Sequence, residues 1–241
     1  MSGGIPLSIV LPVYNQGDHI GDILRGYLAA LSNLRHDFEI IVVVNASTDD
    51  SLKACEEVAR VHPSVRVLHD PAPGWGRAVR CGIAAARGDL IVYTNSARTS
   101  PHALCALILL GYANPGYLIK AERKLRFPLM RRMGSVLYNF QCRALFSIAV
   151  WDVNGTPKVF SRSFLPPGGL REEGDLIDLE LLVHCVRSGI PVIEVPVVSP
   201  GRHSGRSTTM VPSALKMYTG AFRLWRNMRR ADASAVSTDR R

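Results

Sequence analysis

Apolar runs and helical patterns alternate along the first half of the chain. Runs rich in β-branched residues predict buried strands at 7–13, 38–45, 65–70 and 89–96. Between them, apolar residues recur every three or four positions and predict helices at 18–31, 51–62 and 76–88. Strands and helices that alternate in this way predict an α/β fold with a mostly parallel sheet covered on both faces.

The second half is less regular. Ser100 and Pro101 are a typical N-cap and first helical residue, so a buried helix is expected to continue through the apolar run 103–113. This run is shorter than the about 20 residues that a bilayer span requires. The other expected elements are a strand at 116–123, a helix that follows the basic stretch 122–135 and ends at Leu145, a turn and short strand within 152–162, a helix at 175–189 and a strand at 191–198.

Three segments are expected from this pattern. Residues 1–210 form one catalytic-type domain, residues 211–230 form a basic amphipathic helix, and residues 231–241 form a disordered tail.

Composition restricts the partners. The chain has 241 residues, a formal charge of +9 and a pI near 9.7, which favours nucleotide phosphates, anionic lipid or nucleic acid. Nucleic acid is not expected, because no recognition helix or aromatic-interleaved basic motif is present. The five cysteines lack CxxC spacing and predict reduced thiols in a cytoplasmic protein, and no charged leader precedes the apolar start.

The predicted strands end in polar, ligand-like segments. VYNQ, NASTDD, DPAPGWGR and NSART follow the first four strands. Ligands of open α/β sheets bind at the carboxyl ends of the strands, so these four segments predict the binding edge.

Five segments occur in an order that resembles family 2 glycosyltransferases. They are LSIVLPVYNQGDHIGDIL, FEIIVVVNASTDDS, GWGRAVRCGIAAARGDLIVYTNSART, DVNGTPKVFSR and PVIEVPVVSPGRHSGRST. The resemblance covers about residues 6–210 and is strongest to the branch of polyprenyl-phosphate (dolichol-phosphate) mannose and glucose synthases. It implies the GT-A fold, transfer of a sugar from a nucleotide donor with inversion, and the usual need for Mg²⁺ or Mn²⁺.

The resemblance also implies a nucleotide-sugar site. The turn after the first strand is expected to contact the base, and the motif after the second strand to contact the base or ribose. Two arginines are expected near the phosphates. These positions are Pro12, Tyr14, Asn15, Asn45, Ser47, Arg77 and Arg202. Val44 stands where the family has the first Asp of its second-strand motif.

The largest departure from the family lies in VYTNSART. Asn95-Ser96-Ala97 replaces the D-x-D motif, although Asn95 and Ser96 are still expected to line the nucleotide-sugar site. A hard divalent cation prefers carboxylate oxygens, so no tightly bound metal is expected. A guanidinium can stabilise the departing diphosphate instead, and Arg98 is the first candidate. Arg80 is another candidate. The alternative is that the Arg98 and Arg80 side chains face solvent without a role in catalysis.

Acids near the acceptor are the candidates for acid–base chemistry. The resemblance places Asp152 near the acceptor, and Asp178 is the candidate base among Asp175, Asp178 and Glu180. An acceptor phosphate is already ionised and needs no strong base. For each of these acids, a surface role is the alternative.

Two basic segments with apolar residues suggest contact with an anionic membrane. The first is 120–132, with Arg123, Arg131 and Arg132, and the second is 212–230, with Trp225 in its apolar stripe. Such contact fits a polyprenyl phosphate acceptor and peripheral attachment at the cytoplasmic membrane face. The alternative for 212–230 is an ordinary amphipathic helix packed on the domain.

Together these observations predict a metal-independent glycosyltransferase with a UDP-, GDP- or TDP-linked donor. A binding or regulatory protein that keeps the fold without catalysis is the alternative, favoured by Val44 and by the Asn95-Ser96-Ala97 replacement.

Overall fold

A computed structural model describes residues 7–123, 129–198 and 211–238. The strands are β1 Leu7–Val13, β2 Phe38–Asn45, β3 Val65–Asp70, β4 Leu90–Tyr93, β5 Leu118–Arg123, β6 Lys158–Ser161 and β7 Val192–Val197. The α-helices are α1 Ile20–Leu31, α2 Ser51–Val61, α3 Trp75–Ala85, α4 Pro101–Ala113, α5 Leu129–Phe146, α6 Ile177–Arg187 and α7 Val211–Thr238. Short 3₁₀ turns follow α1 and β6.

The strands form one sheet in the order β3-β2-β1-β4-β6-β5-β7. Neighbouring strands are parallel except for β6, which runs antiparallel to both β4 and β5. The expected mostly parallel α/β sheet is therefore confirmed. Parallel pairing brings the carboxyl ends of β1 to β4 to one edge, and the start of antiparallel β6 lies at the same edge.

The core lies on both faces of the sheet. Leu7, Ile9, Leu11 and Val13 of β1 pack in one cluster with residues of α1, α2 and α4. Val10 points to the other cluster, which contains residues of α3, α5, α6 and α7. Burial on both faces explains why β1 has apolar residues on both sides rather than an alternating pattern.

Two elements end earlier than expected, because side chains accept hydrogen bonds from the backbone N–H groups that follow them. The helix predicted to reach Gly88 stops at Ala85, since the Arg87 N–H donates to the buried Glu39 carboxylate (2.7 Å) and the Gly88 N–H donates to Ser8 Oγ (2.8 Å). The strand predicted at 89–96 stops at Tyr93, because a turn begins at Asn95. The Asn95 side chain accepts a hydrogen bond from the Ala97 N–H.

The carboxyl-terminal helix continues past residue 230 to Thr238. Alanine is the strongest helix former, and three alanines in Ala231–Ser237 favour this continuation over the disorder expected from position alone. None of the helices within the described ranges is both long and apolar enough to cross a bilayer.

Candidate functional site

The loops that follow β1 and β2 are bonded to each other at the carboxyl edge of the sheet. The Asn15 N–H donates to Ser47 Oγ (3.1 Å), and Asn15 Oδ1 accepts from the Thr48 N–H (2.8 Å). The Gly17 N–H donates to Asp49 Oδ2 (2.8 Å). Asn15 also has a φ of 48°, a conformation that asparagine tolerates better than most residues. The Asn15 and Ser47 side chains thus hold the loops after β1 and β2 together at this edge.

The other predicted contacts on these strands differ in access. Tyr14 is 43% exposed and presents its side chain at the edge. Pro12 is buried within β1, opposite Val43. Asn45 is 5% exposed, and its Nδ2 lies 3.5 Å from the Gly74 carbonyl oxygen. Among these three residues, Tyr14 is the one placed to meet a ligand.

The glycine loop before α3 packs against a second loop. A Cβ on Gly76 would lie 2.6 Å from the carbonyl oxygens of Glu172 and Gly174, so only glycine allows this approach. A Cβ on Gly74 would lie 2.7 Å from the Glu173 carbonyl oxygen, and the Gly74 φ of 140° also favours glycine. Both glycines thus let the start of α3 approach the 172–174 backbone closely.

Arg77 joins the end of β3 to the same loop. Its Nε donates to Asp70 Oδ2 (2.7 Å), and its backbone N–H donates to the Glu173 carbonyl (2.9 Å). The backbone N–H of Ala72 and the Arg77 guanidinium together hold the pKa of Asp70 below its usual value. Arg80 donates to the Arg171 carbonyl (3.0 Å). Both arginines therefore already have protein partners.

Of the two other predicted phosphate ligands, Arg98 and Arg202, the structure describes only Arg98. The Arg98 side chain is half-buried beside the turn, and its backbone N–H donates to the Asn95 carbonyl (3.2 Å). Arg202 lies outside the described residues.

The turn after β4 does not fit a divalent cation. Asn95 Oδ1 accepts from the Ala97 N–H (3.0 Å), and Ser96 Oγ donates to Gln16 Oε1 (2.6 Å). Ala97 has no ligand atom, whereas Mg²⁺ and Mn²⁺ prefer carboxylate oxygens. Within the described part of the chain, no three His, Cys, Asp or Glu side chains are grouped to hold a metal.

A row of polar side chains crosses the sheet next to this turn. Tyr93, Lys158, Lys120 and Glu194 lie at one level of β4, β6, β5 and β7. Both lysines are 0% exposed. Lys120 Nζ donates to Glu194 Oε1 (2.7 Å), and burial lowers its pKa despite that carboxylate.

Asp178 lies over this row. Its carboxylate accepts from the Tyr93 hydroxyl (2.8 Å) and forms an ion pair with Lys158 Nζ. Burial lowers the pKa of Lys158 to about 8, although Asp178 opposes this shift. Asp178 is 4% exposed. The carboxylate expected to serve as a base is thus bonded inside the protein and is not open to an acceptor in this structure.

Asp152 forms a second buried ion pair. Its two oxygens accept from Arg123 Nε (2.8 Å) and Nη2 (2.9 Å), and the Arg123 N–H also donates to it. The N–H groups of Trp151 and Asp152 donate to Glu194, at 2.6 and 3.0 Å. Arg123 was expected to contact acceptor or membrane. In the structure it is a partner of Asp152, with 17% of its side chain exposed.

The predicted membrane residues are divided between two helices. The side chains of Arg131 and Arg132, in the first turn of α5, lie outside what the structure describes. Trp225 of α7 is half-buried, with the Phe222 ring 5.5 Å away and the Arg229 guanidinium 4.9 Å from its ring.

Sequence reasoning missed Asp70, Tyr93, Lys158 and Glu194. A signal was present for two of them, since Lys158 and Glu194 are single charges among apolar strand neighbours. A charge at such a position is buried and needs a partner. The partner itself could not be read from the pattern.

Comparisons with known proteins show similarity to glycosyltransferases. The model described as glycosyl transferase family 2 matches residues 8–100. The undecaprenyl-phosphate 4-deoxy-4-formamido-L-arabinose transferase of Pseudomonas fluorescens strain Pf0-1 is 36% identical over 97 residues, which are 39% of this chain and 28% of that protein. Its counterpart in strain Pf-5 is 28% identical over 165 residues, which are 66% of this chain and 48% of that protein. The matched part thus spans less than half of these relatives.

An uncharacterized glycosyltransferase of Mycobacterium tuberculosis matches along most of both chains. It is 26% identical over 208 residues, which are 85% of this chain and 89% of that protein. Among solved structures, glucosyl-3-phosphoglycerate synthase from Mycobacterium tuberculosis, in complex with Mn²⁺, UDP and phosphoglyceric acid, has a TM-score of 0.69 at 21% identity. The similarity covers 91% of this chain and 78% of that one, and it shows the GT-A fold. Residues 8–100 thus match the glycosyl transferase family 2 pattern, and the chain is similar to glycosyltransferases in sequence and in fold.

Proposed function

We propose that this protein transfers a sugar, with inversion, from a nucleotide-sugar donor to a lipid phosphate, without a tightly bound divalent ion at the Asn95–Ala97 turn. The observation that carries the proposal is the meeting of three loops at one edge of the sheet. The loops after β1 and β2 are bonded together there, and the turn after β4 is joined to them through Ser96 and Gln16.

The donor lies across these loops. The exposed Tyr14 ring stacks on or borders the base, while Asn15 and Ser47 keep the two loops in register. Arg98 and Arg202 stabilise the charge that grows on the departing diphosphate, in the role that a metal has elsewhere. The donor carries UDP, GDP or TDP. The UDP bound by the solved structural neighbour makes UDP the first to test.

The acceptor approaches from the side of Asp152. Asp152 uses two guanidinium donors of Arg123, and a guanidinium has five, so Arg123 has the chemistry to bind phosphate oxygens as well. An ionised phosphate attacks without a base, which agrees with Asp178 being occupied by Lys158. The names of the undecaprenyl-phosphate relatives support this class of acceptor. A lipid acceptor would place the protein peripherally on the cytoplasmic face of a membrane.

A second candidate is a binding protein without transfer activity. The ion pairs of Asp152 and Asp178, together with a turn that lacks carboxylates, favour it. It predicts donor binding without turnover.

Thermal unfolding with UDP-, GDP- and TDP-sugars, each in Mn²⁺ and in EDTA, tests the donor site. A ligand bound only by the folded state raises the melting temperature. We expect one donor to stabilise the protein equally in both conditions, and Tyr14→Ala to abolish most of that shift. Tyr117→Ala is the matched control, since Tyr117 is 40% exposed at the start of β5, away from the donor edge. Stabilisation only with Mn²⁺ would refute metal independence.

Transfer to undecaprenyl phosphate in EDTA separates the two candidates. Labelled sugar recovered in the lipid fraction supports the enzyme. Stabilisation by a donor with no transfer to lipid phosphate, in EDTA or in Mn²⁺, supports the binding protein.

A second pair of substitutions tests the turn directly. Asn95→Asp combined with Ala97→Asp restores two carboxylates, and donor stabilisation is then expected to rise when Mn²⁺ is added. If Mn²⁺ has no greater effect on this double variant than on the parent protein, the turn is not the metal position.

A further inference from the structure

Helix α5 carries an apolar face that no described residue covers. Met133, Val136, Leu137 and Phe140 are 61%, 61%, 60% and 69% exposed. Their spacing of three, one and three residues places them on one side of the helix. A single exposed leucine is ordinary, whereas four neighbouring large apolar side chains on one face indicate an interaction surface.

The opposite side of α5 is fixed to the protein. The Tyr218 hydroxyl of α7 donates to the Gly134 carbonyl (2.6 Å), and Gln141 Nε2 donates to the Tyr218 carbonyl (3.0 Å). The Tyr138 and Tyr218 rings meet edge to face, with centroids 5.7 Å apart. Because these contacts set the rotation of α5, the apolar face points away from α7 and the core.

A neighbouring side of α5 is joined, through the buried Asn139, to the acceptor side of the candidate site. Asn139 Nδ2 donates to the Trp151 carbonyl (2.7 Å), and its Oδ1 accepts from the Val153 N–H (3.2 Å). Trp151 is 64% exposed, and the Arg143 guanidinium lies 4.2 Å from its ring. Trp151 therefore extends the apolar face to the residue before Asp152.

Cations lie on the helix packed beside α5. Helix α7 packs on the core through Met217, Leu224 and Met228, and its Ala221 is 0% exposed. Its outward side is basic, with exposed Lys216, Arg223, Arg226, Arg229 and Arg230. Of the apolar stripe expected to insert from α7, Tyr218 packs on the core, whereas Leu215 and Phe222 are 66% and 50% exposed beside these cations.

We propose that the docking face, defined as Met133, Val136, Leu137, Phe140 and Trp151, seats this protein on an anionic lipid bilayer. The apolar side chains enter the headgroup boundary, where tryptophan is favoured, and the cations of α7 and Arg143 complement anionic lipid. The proposal rests on the proposed function only for its purpose, which is to bring Asp152 and Arg123 to the headgroup of a lipid phosphate.

Vesicle co-flotation tests the docking face. The full chain is mixed with phosphatidylcholine vesicles, or with vesicles that also contain phosphatidylglycerol. We expect binding to the mixed vesicles, and at least about a tenfold loss of it for Leu137→Glu combined with Phe140→Glu, since two large apolar side chains are replaced by charged ones. Val61→Glu combined with Leu109→Glu is the control, because both residues are exposed on other helices, and it should retain binding.

Two results would overturn the proposal. One is equal vesicle binding by both double variants. The other is a parent protein that is dimeric by light scattering and becomes monomeric only with Leu137→Glu and Phe140→Glu, which would assign the face to a second copy of the chain.

The donor-induced thermal shift is measured on the same proteins. It should not change in the docking-face variant, and this also shows that the variant is folded. Vesicle binding without any donor shift would refute the proposed function alone, and a donor shift without vesicle binding would refute the docking face alone.

Discussion

Lys158 and Asp178 form an ion pair that is almost completely removed from water. Lys158 is 0% and Asp178 is 4% exposed, and Tyr93 donates to the same carboxylate. Burying both charges costs much of what their attraction returns, but removing one of them leaves the other uncompensated. The pair therefore constrains how β4, β6 and α6 meet more than it adds net stability.

Replacement of Lys158 tests this constraint. Lys158→Met is expected to lower the free energy of unfolding by about 3–5 kcal/mol, because Asp178 is left buried without its cation. Lys158→Met combined with Asp178→Leu should recover part of the loss. Urea denaturation measures both, with Lys53→Met on the exposed side of α2 as the control. A loss for Lys158→Met as small as that of the control would contradict the assignment.

Asp70 provides a pH-dependent contribution. Its pKa is lowered by the Ala72 N–H and Arg77, so its ionised form stabilises the fold. That contribution is present above the unfolded pKa of about 3.9 and is lost as the pH falls through the lower folded pKa.

Asp70→Asn should therefore cost about 1–3 kcal/mol at neutral pH, and the difference from the parent should shrink as the pH falls below about 4. Chemical denaturation across this range measures the change. Asp22→Asn is the control, since the Asp22 side chain is 81% exposed. A difference that is constant with pH would show that the carboxylate charge is not involved.

At the scale of elements, the start of α3 and the loop at 172–174 are fitted to each other. Gly76 allows the backbone to approach, Arg77 ties β3 to the loop, and Glu180 of α6 accepts the N–H groups of Arg171 and Glu172. The loop is thus held from both sides, next to the carboxyl edge of the sheet.

Gly76→Ala should disturb this fit. Its Cβ would meet two carbonyl oxygens at 2.6 Å, and the required shift is expected to cost about 1–3 kcal/mol. Gly174→Ala is a matched control in the facing loop, because its Cβ meets nothing within 4 Å. Thermal unfolding compares the two variants, and equal melting temperatures would contradict the close approach.

At the scale of the whole molecule, basic surface lies next to exposed apolar surface. The chain carries a formal charge of +9, the exposed basic side chains of α7 lie beside α5, and the docking face continues to Trp151. In the docking that we propose, electrostatic attraction would bring the protein to an anionic surface, and apolar contact would then hold it there.

This combination of charge and apolar surface predicts that salt weakens vesicle binding only in part. Raising the salt from about 0.05 M to about 0.5 M shortens the screening length and should weaken binding to phosphatidylglycerol vesicles. Some binding should remain, because burial of the docking face is not screened. Complete release at high salt in co-flotation would show that charge alone holds the protein.

Local patterns were sufficient for much of the fold. The strands at 7–13, 38–45 and 65–70 have the predicted bounds, and Ser100 Oγ caps α4 as expected by accepting from the Ala103 N–H. Apolar periodicity and capping involve residues close in sequence, so they can be predicted without the structure. The resemblance to family 2 glycosyltransferases could also be seen in the sequence, because the motifs follow the strand ends, and the family model matches residues 8–100. The proposed roles of the site residues stay predictions.

The sequence by itself determined the alternation of elements, the edge where the motifs meet and the absence of carboxylates at 95–97. Only the tertiary structure decided that Asp178 is bonded to Lys158, that Asp152 is bonded to Arg123, and that α5 leaves a four-residue apolar face exposed. The reason is physical. The sequence shows that a charge among apolar neighbours, or an apolar stripe, needs a partner. The partner is a residue far away in sequence, and only the folded chain brings the two together.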